Sequence, residues 1–191
     1  MAVMTDESRP SSEADSDGKR GFRPFGQLAG RELSFCYHRT PHGSWELRGG
    51  GDLVGLVDRR SGVVRGVAGS WRVEVIRRVV GWRLLFKPGD QRLPVASYKP
   101  RQVLPGGTIV LSDGRSFTLR LQKLFGQAWT VSDAQGTELA RVWPEREAYV
   151  PGSWTVGLRA SVADEPAALL VVLASCFAIL VNQAQRPLSS G

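Results

Sequence analysis

The side chains in this chain whose type and spacing suit chemistry are cations. Fourteen Lys and Arg residues fall between positions 59 and 123, against Glu74, Asp90 and Asp113, a local net charge of +11. A field of that size attracts phosphate-rich partners, either nucleic acid or anionic lipid. In an extended strand, successive side chains point to opposite faces. Arg72, Arg83, Lys87, Lys99, Arg101 and Arg120 therefore point outward if the adjacent Trp and Phe residues point inward. Arg78 joins them where no bulge intervenes. These seven are the candidate lipid- or anion-binding residues; the plain alternative is a solvated strand face that happens to be rich in Arg.

The other chemistries leave little trace. His38 and His42 are the only histidines, and neither lies near a Cys or carboxylate cluster at metal-ligand spacing. No metal site and no cofactor are expected. Cys36 and Cys176 are far apart in apolar contexts and read as buried free thiols, with a single disulfide as the alternative. There is no Gly-x-Ser-x-Gly elbow, and the run from Gly49 to Gly55 lacks the Gly-Lys-Ser/Thr ending of a phosphate-binding loop. The acids of the central region sit mostly in turns, with no pair placed for acid–base work. The expectation is no catalytic residue and no enzyme.

The elements that position the cations follow from composition and period. With 191 residues, 42 % of them hydrophobic, the chain suffices for one domain plus a tail. Residues 1–24 are Ser-, Asp- and Glu-rich and lack periodicity, so they read as a disordered tail; they show no apolar segment of a secretory signal, which predicts a cytoplasmic location. Within a domain of residues 25–184, residues 26–163 read as short strands cut by Asp/Gly turns, the pattern of an all-β sandwich or barrel. Trp71, Val73 and Val75 alternate with Arg72 and Glu74; Trp82, Leu84 and Phe86 alternate with Arg83, Leu85 and Lys87. The last strand is expected over residues 154–162. Three segments repeat an apolar pair or triplet, an Asp and a nearby Gly, at Asp58, Asp113 and Asp133, which is hairpin chemistry.

Residues 167–181 are uncharged and apolar on every side. Fifteen residues make a helix of about 22 Å, short for a bilayer core of about 30 Å. The run is preceded by Asp164 and Glu165, followed only by Arg186, and has no aromatic belt. It reads as a central core helix over residues 165–183 that buries Leu169, Leu170, Val172, Leu173, Phe177 and Leu180; the alternative is a tail anchor at 167–181. Residues 185–191 form a C-terminal tail.

A body of Trp- and Gly-rich hairpins that ends in one very apolar helix resembles the tubby C-terminal-like superfamily, in particular its LURP-one-related and phospholipid-scramblase-like branches. The segments that carry the resemblance are Gly106-Gly107-Thr108 to Asp113-Gly114, Trp129 to Gly136 with Leu139 to Val142, and Trp154 to Pro166 with the apolar run. They cover roughly residues 26–183. The resemblance implies a mainly β fold: a closed antiparallel barrel of about twelve strands around a C-terminal hydrophobic helix. It also implies a non-catalytic module that binds anionic phospholipid headgroups or a membrane surface, peripheral to the membrane. The family's lipid-contacting motif is not recognisable here, so no contact residue carries over. A monomer is expected, and nucleic acid or a protein is the alternative partner.

Overall fold

The structure is a computed structural model that describes residues 22, 24–38, 43–77, 79, 81–89, 91–102, 104–122, 128–145, 152–165 and 167–184. Twelve strands follow one another: β1 (Glu32–His38), β2 (Ser44–Gly49), β3 (Asp52–Asp58), β4 (Val63–Gly66), β5 (Gly69–Arg77), β6 (Trp82–Pro88), β7 (Ala96–Pro100), β8 (Gly106–Leu111), β9 (Ser116–Gln122), β10 (Ala128–Ser132), β11 (Glu138–Pro144) and β12 (Trp154–Leu158). Each pairs antiparallel with the next, and β12 returns to β1, so the sheet closes into a barrel. Closure leaves no unpaired edge to recruit another chain.

The repeated Asp residues make the turns. The Asp58 carboxylate accepts N–H bonds from Arg60 (2.9 Å) and Ser61 (3.1 Å). Asp113 accepts from the Arg115 N–H at 3.0 Å, and Asp133 from the Thr137 N–H at 2.7 Å. Gly114 and Gly136 follow at φ of 89° and 88°, a backbone conformation that suits glycine. The similarity of the three segments is thus local turn chemistry.

Helix α1 (Ala168–Ala184) runs through the barrel and is buried from Ala168 to Leu180. Leu169, Leu170, Val172, Leu173, Phe177 and Leu180 all lie in the core. Small residues on the wall admit the helix: a Cβ added to Gly55 would lie 2.7 Å from Leu173 Cδ2, and one on Gly66 would lie 2.7 Å from Leu169 Cδ2. Two strands further round the wall, on β6, Phe86 meets Phe177 edge-on, with ring centroids 6.3 Å apart. The helix's one buried hydroxyl, Ser175, donates to the Val171 carbonyl at 2.8 Å, so no polar atom of the plug faces the apolar wall unpaired. Burial pushes the Cys176 thiol up to about 12.

The helix also gives the barrel two distinguishable ends. At the near end, where α1 begins, the Glu165 carboxylate accepts the Ala167 N–H at 2.8 Å and pairs with Arg115 of the β8–β9 turn. At the far end Asn182 donates to the Tyr98 hydroxyl at 3.1 Å.

Several expectations need correction. The helix starts at Ala168, not at 165; Pro166 lies outside the described residues. The last strand stops at Leu158, and a 3-10 turn spans Ala160–Asp164. There the Arg159 N–H turns to the Leu139 carbonyl and Ser161 Oγ donates to the Glu138 carbonyl, which ends the ladder. Both cysteines are free, but Cys36 is only half-buried, because it alternates with the inward Leu33 and Phe35. Trp143 points outward and lies across Gly157, where a Cβ would come within 2.8 Å of its ring. The tail expected at residues 1–24 lies outside the described residues except Phe22 and Pro24, as do His42, Arg78 and residues 185–191.

Candidate anion-binding face

The inward positions of β5 to β9 are filled by Trp71, Val73, Leu84, Phe86, Tyr98, Ile109, Phe117 and Leu119, all buried. Alternation then forces the residues between them outward. Arg72, Lys99, Arg101 and Arg120 are exposed and Arg83 and Lys87 half-buried, as the alternation predicts. Arg77, which the sequence reading did not single out, is exposed at the end of β5. Arg78 lies outside the described residues.

The strand register divides these cations into two groups. Arg72 of β5 sits directly opposite Lys87 of β6. Together with Arg92 and Ser61 they line a recess of about 580 Å³ on the side of the barrel. Lys87 Nζ contacts Glu74 at 2.5 Å, so one positive charge of the recess is answered, and among the described residues Arg72 and Arg92 have no acidic partner. The second group lies toward the far end. Leu84 pairs with Tyr98, which brings Arg83 and Lys99 side by side one step further along the outer face. Arg101 hydrogen-bonds through its N–H to the Gly106 carbonyl at 2.9 Å, and Gly106 is opposite Arg120. Two guanidinium side chains thus flank a strand position with no side chain. Arg120 also reaches a polar recess of about 310 Å³ with Thr118, Thr130 and Ser132.

Among the described residues, Arg72, Arg77, Arg83, Arg92, Lys99, Arg101 and Arg120 make no ion pair with an acid. The division into two groups could not be read from sequence, because it depends on which strand residues face each other. Arg77 shares the parity of the inward Trp71 and Val73, so alternation alone assigned it to the core face; it is exposed because it lies at the end of β5, beyond the pairing with β4. The described residues contain no group of three or more His, Cys, Asp and Glu able to hold a metal ion, and no helix long and apolar enough to cross a membrane.

The fold and this face together define a helix-plugged antiparallel barrel with one cationic flank. No family model matches the chain, and neither a curated protein nor a solved structure does.

Proposed function

We propose that this chain is a non-catalytic, tubby-like barrel that binds anionic phospholipid headgroups at a membrane surface, from the cytoplasmic side, through the outer face of β5 to β9. The observation that carries the reading is the row of outward cations on those strands that have no acidic partner among the described residues. A protein has little structural reason to hold so many like charges together, since they repel one another and contribute nothing to the core. An anionic surface supplies the missing counter-charge, at about 1 kcal/mol per Lys or Arg near the headgroups. Planar guanidinium groups suit phosphate through paired N–H donors. The helix supports the same reading indirectly: it is spent on filling the barrel, which leaves surface attachment to the exterior.

Vesicle flotation at low and high salt tests this. Vesicles with anionic lipid should recover the protein and neutral vesicles should not, and salt should weaken recovery. Replacing Arg83, Lys99 and Arg101 together by Gln should lower vesicle affinity roughly 100-fold, about 1 kcal/mol for each charge. Equal recovery on neutral and anionic vesicles refutes the proposal.

A further inference from the structure

The cationic flank extends along the barrel, so its charges alone do not say which part meets a bilayer. Its apolar neighbours do. The β5–β6 hairpin outruns the strands beside it: β4 pairs with β5 only over residues 69–72, and β7 pairs with β6 only over residues 84–86. The remainder projects from the far end as a two-stranded ribbon. Val79 at its tip is fully exposed, and Val75 on the ribbon is 45 % exposed. Leu104, in the loop from β7 to β8 at the same end, is 63 % exposed. Around the far mouth lie aromatic rings only partly covered. Trp82 leans on Tyr98 with ring centroids 5.5 Å apart, and Tyr37 and Trp45 contact each other across the opposite rim at 5.6 Å.

Aliphatic tips, a half-covered aromatic rim and flanking Arg and Lys are the three ingredients of an interfacial seat. Apolar tips enter the headgroup boundary, Trp and Tyr rest at its level, and cations reach its phosphates. Arg77, Arg83, Lys99 and Arg101 flank the ribbon and the Leu104 loop. The near end also exposes aliphatics, Val67 and Leu93. There they share the surface with Asp52, Asp133 and the Asp113–Arg115–Glu165 bridge. At the far end the described acids are fewer. Glu145 is one, and the Asp58 carboxylate is occupied by the Arg60 and Ser61 N–H groups.

We infer that the far end of the barrel is the membrane-seated end, with Val79 and Leu104 entering the interfacial layer of an anionic bilayer. This rests on the lipid-surface reading above and adds an orientation and an apolar component to it. The apolar component is the part that salt does not screen.

A polarity-sensitive fluorophore placed by cysteine chemistry tests the orientation. In a Cys36→Ser background, Cys176 remains unlabelled because it is wholly buried in the barrel. Val79→Cys marks the far end and Leu93→Cys, also well exposed, is the control at the near end. On vesicles of mixed neutral and anionic lipid, the label at 79 should shift to shorter wavelength and be quenched by brominated acyl chains, and the label at 93 should not. Exchanging Val79 and Leu104 together for Ser should lower binding at high salt roughly tenfold and leave the urea midpoint unchanged. If the protein floats with its vesicles while the label at 79 stays in water, or while the label at 93 is the one quenched, the orientation is wrong and the headgroup reading survives. If it does not float, both fall. A shift of the label at 79 with RNA and not with vesicles overturns the lipid seat as well.

Discussion

The outer surface of this barrel has two flanks built from the same alternating strands, and they treat charge differently. On β2, on β11 and just after β12 the cations are answered. Glu46 is nearly buried on the outer face and accepts from Arg48 Nε at 2.7 Å, with a second guanidinium nitrogen at 2.6 Å. Glu138 takes both Arg141 and Arg159. At the near end Arg115 bridges Asp113 and Glu165. On β5 to β9 Lys87 alone has a partner among the described residues. Both flanks cover the same apolar helix, so the difference does not arise from folding requirements. Cations that hold this barrel together come with carboxylates nearby, and the cations without them are those available to something outside the chain.

The largest expected effect removes what both flanks stand on. Leu173 is wholly buried, and its methyl groups lie against Gly55 and Gly66. Leu173→Asp sets a charge in the barrel with no partner, a change of the class that unfolds marginal domains, at more than about 4 kcal/mol. Circular dichroism should show loss of the strand signal, and vesicle flotation should vanish with it. A soluble, folded Leu173→Asp protein would mean the helix is not the barrel's filling. The flanks then could not be compared as parts of one fold.

A smaller effect should separate the flanks. Arg48→Met leaves Glu46, with a side chain 9 % exposed, without its guanidinium. A nearly buried carboxylate that loses its guanidinium, with only His38 Nε2 left 3.7 Å away, costs about 1–3 kcal/mol, which urea unfolding should register while anionic vesicles still recover the protein. Arg83→Met on the other flank should do the reverse: an unchanged urea midpoint and weaker flotation. If the two substitutions have the same profile, the division between paired and unpaired flanks has no functional content.

Much of this arrangement was legible in the residues. Period-two alternation over Trp71, Val73, Leu84 and Phe86 indicated which side chains face inward, because the positions between them are mostly charged, Arg72, Glu74, Arg83 and Lys87, with Leu85 the exception. The Asp turns were legible because their hydrogen bonds are local, within four residues. The helix was legible from its uniform apolarity. What could not be read was set by distant partners. Trp143 points outward because Gly157, fourteen positions away, leaves room for its ring. Val75 alternates with the inward set yet is exposed, because β4 is too short to cover it. The split of the cations into a side recess and a far-end group depends on which strand residues face each other, and the sequence pattern carries no register.

The smallest effect sharpens the comparison at the boundary between surface charge and core. Arg115 holds the Asp113 carboxyl below the usual carboxylate range through its side-chain and backbone N–H bonds. A lowered folded value means that ionised Asp113 stabilises the fold. That contribution is complete above the ordinary unfolded value of about 3.9 and is lost as pH falls through the lowered one. Asp113→Asn should therefore lower the urea midpoint slightly at neutral pH, with its curve converging on the parent's in strong acid. Glu165 is the more covered partner of Arg115, with a side chain 16 % exposed, and its carboxylate also accepts the Ala167 N–H just ahead of the helix. Glu165→Gln keeps an acceptor but removes the charge from the positive end of the helix dipole, so about 0.5–1 kcal/mol should go. Neither change should touch vesicle binding, because both lie at the end of the barrel away from Arg83, Lys99 and Arg101. A loss of binding in either variant would place the lipid-facing surface at the near end, and the paired charges would then be part of the site.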